Sequence, residues 1–271
     1  MITRGIGHLG APRSRRSGVA GSARMLRALK PALVALMAVV GFSTSALAQR
    51  SSDSRVSVTV SGALQANASH FSQAVTFEKY SENGSLAVNY AVKRGAGVEA
   101  GMIVRLWRFL GVGLSGAYFS SSNPAQVTAL VPHPLLAGRP RQISGPAGVS
   151  RTELGVHLQA AYWVRATDRV EIVVSGGPSV IRASQDFVSD VTFTEAFPYD
   201  TAKYDGATVV RERKTAKGGN IGAEVTWRAS RHYGIAAVVR YSHAAADFSD
   251  AGTPTLVIGG LRAGGGIRLS F

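Results

Sequence analysis

The chain has 271 residues, of which 45% are hydrophobic, and it contains no cysteine. This composition excludes an intrinsically disordered chain, and the lack of cysteine excludes disulfides, Cys-based zinc sites and thiol catalysis. Much of the net charge of +14 comes from residues 1–48, which carry seven basic side chains and no acidic one; without them it is +7. The remaining basic residues are scattered, so the charge does not indicate a nucleic-acid partner.

Residues 25–48 are typical of a secretory signal peptide. Arg27 and Lys30 precede a ten-residue apolar run at 33–42, and Ala46-Leu47-Ala48 then forms an A-x-A cleavage site. A transmembrane helix would need about 20 apolar residues, and this run is too short. The segment therefore predicts export and cleavage.

Residues 1–24 are rich in Gly, Ser and Arg and have no place in such a signal. We interpret them as an upstream extension before a true start at Met25. The mature chain is then a single domain, residues 49–271.

Eight segments of the mature chain alternate apolar and polar residues with period two, which is typical of β-strands with two different faces. In one of them, Leu154, Val156 and Leu158 alternate with Gly155 and His157. No segment shows a sustained helical period, so the pattern predicts an all-β fold. The eight segments are 56–64, 98–106, 110–118, 154–164, 170–180, 221–227, 233–241 and 257–271.

The connections between these segments alternate in length. Between about 30 and 40 residues follow the first, third and fifth segments, whereas the turns at 107–110, 166–169 and 230–232 are short. A soluble sandwich has no reason to sort its loops in this way, but a membrane barrel does. The sequence therefore predicts an eight-stranded antiparallel up-and-down transmembrane β-barrel with short periplasmic turns and long external loops.

Aromatic residues flank the short turns. Trp107, Trp163 and Trp227 each lie close to one of them, and Tyr233 lies at the same level. We expect these four side chains to form an interfacial aromatic ring at the periplasmic face. Strict alternation would turn Trp107 and Trp163 inward and Trp227 outward, so a bulge near the rim is also expected.

The positions predicted to face the lumen include eight charged residues. An eight-stranded barrel is only wide enough for its side chains to fill it, and buried charges there must be paired. We therefore expect a polar plug of ion pairs; the alternative is a gate that rearranges to pass ions. The residues are Glu99, Arg105, Glu153, Glu171, Glu224, Arg240, Arg262 and Arg268.

The last strand ends with apolar residues at alternate positions, Ile267, Leu269 and the carboxyl-terminal Phe271. With the signal peptide, the eight strands and the loop asymmetry, this chain resembles the OmpA-type and opacity-type eight-stranded outer-membrane β-barrels. The resemblance implies a Gram-negative-type outer membrane and contact with its lipid and lipopolysaccharide. It also implies recognition of the last strand, as an assembly signal, by the barrel assembly machinery.

Two of the long connections carry further signals. The five prolines within 120–150 favour an ordered coil over strands. The connection 186–214 is rich in aromatic and charged residues, and its alternation at 188–195 indicates that the flanking strands continue as a hairpin. That hairpin either packs on itself or forms a recognition surface for lipopolysaccharide, a surface partner or calcium.

Three functions remain open on the sequence alone. The first is a monomeric barrel with a structural or surface-interaction role and neither metal nor cofactor. The second is a small channel or carrier for ions or hydrophobic compounds. The third is an outer-membrane lipid-modifying enzyme, for which His70, Ser72, His133 and Asp190 are rim candidates. No residue spacing demands catalysis, so we expect no enzyme.

Overall fold

The computed structural model describes residues 54–66, 69–249 and 255–271, and the predicted signal peptide and upstream extension lie outside these ranges. Within them no helix is long and apolar enough to cross a membrane. The described residues form ten β-strands: β1 Val56–Gln65, β2 Ser69–Lys79, β3 Glu82–Val92, β4 Gly95–Arg105, β5 Leu110–Val131, β6 Arg141–Arg165, β7 Val170–Glu195, β8 Ala202–Arg228, β9 Tyr233–Ala246 and β10 Leu256–Ser270.

Eight of these strands close into an antiparallel ring. β1 pairs with β4 on one side and with β10 on the other, and β5 to β10 follow in chain order from β4. The first and last strands thus close the barrel, with Val58 opposite Leu269. The predicted all-β, eight-stranded up-and-down barrel is confirmed.

Tight turns join the strands at one end of the ring. The Leu106 amide donates to the Leu110 carbonyl at 2.9 Å, and the Ala166 amide donates to the Val170 carbonyl at 3.1 Å. A third turn follows β8 at Ala229. Phe271 lies at this end too: its amide donates to the carbonyl of Val56, at the start of β1, at 2.8 Å. The predicted sorting of short and long connections is therefore correct.

The first long connection is a hairpin rather than a loop. β2 and β3 pair along their length, and β3 then pairs with the outer half of β5, with Ser85 opposite Leu130 and Asn89 opposite Gln126. β5 thus exchanges β4 for β3 as its neighbour above Ser120. The hairpin continues the barrel wall beyond the ends of β1 and β4.

The prediction of a coil at 120–150 is wrong, because β5 and β6 remain paired up to Val131 and Arg141. The prolines are tolerated where a missing amide costs no ladder bond. Pro124 lies between the last β4 pairing at Ser120 and the first β3 pairing at Gln126. Pro146 lies beyond the end of the β6–β7 ladder.

The hairpin predicted from the alternation at 188–195 is confirmed. β7 and β8 pair from the end with the short turns to Glu195 and Ala202, with irregular register near Val188 and Thr192. The ladders on both sides of this arm end earlier, at Arg151 for β6–β7 and at Gly218 for β8–β9. The arm is therefore held to β6 by side chains.

The half of the molecule opposite the short turns, called the outer half below, has an apolar interior. Ile181, Val127, Val131 and Phe248 are fully or almost fully buried there, and Tyr90 of β3 packs among them. The Phe71 ring stacks on the Tyr90 ring with centroids 4.6 Å apart. This cluster is the larger of the two hydrophobic clusters among the described residues, and it lies towards the end of the barrel opposite the short turns.

Candidate functional site

The half of the barrel nearer the short turns is filled with ion pairs. All eight charged residues assigned to the lumen by alternation face the interior. In the middle of the lumen, Arg240 Nη2 lies 2.9 Å from Glu99 Oε1. One level higher, Arg262 Nη2 lies 3.5 Å from Glu153 Oε2, whose side chain is completely buried.

A second group of charges lies nearer the short turns. Arg268 Nη1 is 2.9 Å from Glu224 Oε1, and Arg105 pairs with Glu171. Glu224 Oε1 also accepts hydrogen bonds from the hydroxyls of Thr59 and Thr226. Hydrogen bonds from neutral side chains thus lower the cost of burying these charges.

Sequence reasoning missed one member of the lumen network. Arg151 Nη2 lies 2.8 Å from Glu153 Oε1, so Glu153 holds two arginines and also accepts from the Gly259 amide at 3.1 Å. The alternation that places Glu153 inward also places Arg151 inward, but the predicted strand begins only at residue 154. Among the described residues this half of the lumen therefore holds five arginines and four glutamates.

The predicted interfacial ring of aromatic residues is wrong at one position. Trp163 is 4% exposed and lies inside the barrel, where the Arg105 guanidinium sits 4.8 Å from its ring centre. Its inward direction follows from its odd position in β6, and Gly111 makes room for it: a Cβ there would lie 2.8 Å from the indole. Trp163 is thus part of the lumen filling, not of the lipid interface.

The other predicted aromatics lie on the outer wall or at the turn. Trp107 is in the β4–β5 turn and highly exposed, because the strand ends before alternation could turn it inward. Trp227 and Tyr233 are exposed on the wall at the same end. At the end of the chain, Ile267 of β10 and Phe271 after it are exposed whereas Leu269 is half-buried; their role as an assembly signal stays a prediction.

The apolar face of the strands reverses along the barrel. On β5, Leu110, Val112 and Leu114 are exposed on the outer wall, and the alternate positions are buried. Farther along the same strand Ser122 and Gln126 are exposed together with Pro124 and Leu130, whereas Val127 and Val131 are buried inside. β6 shows the same reversal. The molecule is therefore apolar outside at one end and apolar inside at the other.

The outer tips of the three hairpins are locked together in a crown, formed by the tips at 80–82, 132–141 and 195–200. Arg141 Nη1 lies 2.5 Å from Glu195 Oε2, and its Nη2 donates to the Pro132 carbonyl at 2.7 Å. The hydroxyl of Tyr80 donates to the same glutamate. Burial raises the pKa of Glu195, but these hydrogen bonds outweigh burial and hold that pKa below its usual range.

A second lock closes the seam between β6 and the β7–β8 arm. Asp186 accepts from the amide and hydroxyl of Ser150 at 3.0 and 2.6 Å, and from Arg211 Nε at 2.6 Å. Burial raises the pKa of Asp186, but the hydrogen bonds from Arg211 and Ser150 outweigh it and hold the pKa below its usual range. The arm is thereby fixed to the barrel wall where the backbone ladder has ended.

Two of the histidines in the described part, His133 and His157, have structural partners. His133 Nδ1 accepts from the amides of Leu135 and Leu136 at 3.1 Å and so caps its loop. His157 Nδ1 lies 2.7 Å from the Ser179 hydroxyl, but both side chains are buried below the apolar core. Among the described residues no group of three or more His, Asp or Glu could hold a metal ion.

No family model matches the sequence, and no curated protein matches it. Among solved structures, the outer membrane protein OprG from Pseudomonas aeruginosa gives a TM-score of 0.44 at 10% identity, over 81% of this chain and 96% of OprG. The attachment invasion locus protein Ail of Yersinia pestis gives 0.36 at 12% identity, over 80% and 99%. The outer membrane protease OmpT from Escherichia coli gives 0.40 at 9% identity, over 84% and 100%.

The fold itself has a ring of eight antiparallel strands, tight turns at one end and long hairpins at the other. Its ring also carries apolar side chains on the outside and charged side chains within. This chain has the fold of the small eight-stranded outer-membrane β-barrels, which it resembles.

Proposed function

We propose that this chain is an integral, monomeric barrel of a Gram-negative-type outer membrane that does not conduct and that presents its crown to the outside. The observation that carries the proposal is the reversal of the apolar face along continuous strands.

The reversal marks a change of solvent. A strand surface is apolar on its outer side only where that side meets lipid, and polar there where it meets water. On β5 the stretch with an outward apolar face, from Leu110 to Tyr118, covers nine residues, close to the roughly 9–11 that a tilted strand needs to cross the hydrocarbon. Above Ser120 the outer wall would lie in water.

Two fillings stacked on each other support a closed lumen. The membrane half holds buried ion pairs, which resist rearrangement because separating a buried charge from its partner is costly. The outer half is closed by the apolar core, including Val127 and Ile181. An ion would have to cross both layers, so a channel role is less well supported than a structural one.

The interior also argues against catalysis. His157 and Ser179 form the hydrogen-bonded pair most similar to a catalytic arrangement, but neither has access to solvent or lipid. A buried pair of this kind stabilises the wall between β6 and β7 and would not meet a substrate. We therefore propose a role without enzymatic activity.

The crown supplies a surface for interaction. Its locked tips expose apolar side chains, with Phe197 79% and Leu135 65% exposed. Exposed apolar groups held in a fixed arrangement are typical of contact surfaces. We propose that a surface partner binds here.

Conductance tests the closed lumen. Purified barrel reconstituted in planar bilayers should give no discrete current steps, while a general porin prepared in the same way gives them. Regular, protein-dependent steps from the wild-type chain would overturn the non-conducting role.

Orientation is tested with single cysteines, for which the cysteine-free sequence gives a clean background. Leu135→Cys in the crown should react with a membrane-impermeant maleimide on intact cells, and Ser230→Cys in the β8–β9 turn should react only after lysis. Labelling of Ser230→Cys on intact cells would show the opposite orientation.

The interaction role is tested by retention of nanodisc-embedded protein on a phenyl matrix. The Leu135→Ser, Phe197→Ser variant should elute earlier than wild type, whereas Val210→Ser, an exposed position on the side of the arm, should change elution little. Equal shifts from both variants would contradict a specific crown surface.

A further inference from the structure

The outer wall has an open groove of about 530 Å³ where the β8–β9 ladder ends. Gly219 forms its floor, since a side chain is missing there and a Cβ would have only the Gly177 carbonyl within 4 Å, at 3.8 Å. Two residues below on β8 lies Ile221, and two residues above lies Lys217. The neighbouring strand contributes Tyr241 and His243, whose rings stack with centroids 6.4 Å apart.

The groove lies at the level where the outer wall changes from apolar to polar. Ile221 is 60% exposed and belongs to the apolar belt, as does Val180, which lies beside Lys217 on β7. Lys217 is the outward-facing residue of β8 on the crown side of Gly219, at the edge of this belt. The groove is therefore amphipathic along the strand direction, apolar towards the short turns and cationic towards the crown.

Two further cations adjoin Lys217 on the same face. Arg182 is opposite Thr215, and Arg213 is opposite Ser184, so the three basic residues occupy diagonal positions on the outer face of the β7–β8 ladder. Diagonal neighbours on one face are about 7–8 Å apart. Arg211 above them is neutralised by Asp186, whereas no ion pair joins these three residues to a carboxylate within the described residues.

We propose that this groove and its three cations bind a phosphorylated lipid of the outer leaflet. A phosphate group would lie against Lys217, Arg182 and Arg213, and an acyl chain would follow Gly219 and Ile221 into the hydrocarbon. The inference rests on the membrane placement proposed above and adds to it a defined ligand and a defined sector of the wall.

Charge and shape select this occupant over others. A soluble anion would use the cations but leave the apolar half of the groove empty, and an uncharged lipid would leave three cations without counter-charge. A phosphorylated lipid matches both halves of the groove at once. Its phosphate lies at the headgroup level, where each basic side chain near the membrane surface contributes a small electrostatic attraction of similar size.

Native mass spectrometry of the full barrel in phosphatidylcholine nanodiscs tests the proposal. Diphosphorylated lipid A is the probe; the comparison probes are the same lipid without its phosphates and inorganic phosphate. We expect lipid A to bind to the wild-type barrel, the dephosphorylated lipid to bind at least tenfold more weakly, and inorganic phosphate not to compete at equal concentration.

The variants locate the site. Lys217→Gln should lower lipid A affinity roughly fivefold, and replacing all three cations with glutamine should lower it roughly a hundredfold, at about one kcal/mol per cation. Arg139→Gln in the crown is the matched charge control and should have no effect. Gly219→Val fills the groove and should weaken binding, while Gly116→Val, at an outward glycine of β5 with equally open space, should not.

The outcomes separate this inference from the membrane placement. A barrel that inserts into lipid and binds both forms of the lipid equally, or is unaffected by Gly219→Val, overturns the site. Competition by inorganic phosphate as strong as that by lipid A would overturn a lipid ligand in favour of a free anion. Failure to insert at all, seen as loss of the heat-dependent gel shift, would instead overturn the proposed function.

Discussion

The Glu99–Arg240 pair allows the lumen charges to be tested singly and together. Both side chains are less than 10% exposed, and their charged atoms are 2.9 Å apart. Removing one partner of such a pair leaves the other buried without counter-charge, at about 3–5 kcal/mol, whereas removing both costs much less. Because glutamine keeps some hydrogen bonds, Glu99→Gln should cost about 3 kcal/mol and the double variant Glu99→Gln, Arg240→Gln about 1 kcal/mol.

The charge count of the lumen predicts an asymmetry between the single variants. With five arginines and four glutamates, loss of Glu99 raises the formal lumen charge from +1 to +2, and loss of Arg240 lowers it to zero. Glu99→Gln should therefore be the more destabilising change. Reversible urea unfolding in lipid vesicles, followed by tryptophan fluorescence, gives the three free energies; a double variant as unstable as the sum of the single variants would refute the pairing.

Three further predictions concern the wall, the seam and the last strand. Val225→Arg places a charge on the lipid face and should cost about 2–4 kcal/mol in vesicle unfolding; an unchanged stability would place this strand face away from lipid. Since the pKa of Asp186 is depressed, its stabilisation of the seam is present above its ordinary pKa and is lost as pH falls through the lowered value. Protection of the amides at 141–150, measured relative to their intrinsic exchange rates, should therefore fall in acid for wild type, whereas Asp186→Asn should show low protection at all pH values, and pH-independent protection in wild type would contradict this role. Phe271→Asp keeps the backbone hydrogen bonds of this residue to Val56 and should reduce the yield of folded barrel in cells more than it lowers the unfolding free energy of the molecules that fold; normal yield would count against an assembly signal.

Alternation alone was sufficient to predict the ring. Each of the eight membrane strands has a lipid face and a lumen face, so residues such as Leu158 and His157 show their directions in the sequence. The charged lumen positions follow for the same reason. The pairing partners within the lumen cannot be predicted from alternation, because residues that pair there, such as Glu153 and Arg262, are 109 positions apart in the chain.

The outer half was harder to predict, because there the rules change within one strand. Above Ser120 the apolar residues move from even to odd positions of β5, and prolines within the β5–β6 ladder, Pro124 and Pro146, hide the continuation. A reversal of phase with no break in pairing resembles the end of a strand when only the sequence is read. Trp163 shows a related conflict: its proximity to a turn favours the lipid interface, whereas its position in β6 turns it inward, and the structure follows the position in the strand.

The most direct test of the account is a single-cysteine nitroxide scan along β5 in lipid vesicles. Spin labels at Val112 should be accessible to oxygen in the hydrocarbon, labels at Ser122 to a water-soluble nickel reagent, and labels at Ser115 and Val127 to neither. This pattern would show a lipid belt, a water-exposed outer wall and an interior closed along its length. Nickel accessibility at Ser115 would show an open aqueous lumen, and nickel accessibility at Val112 would show that the belt is not in a membrane; either result would contradict the account.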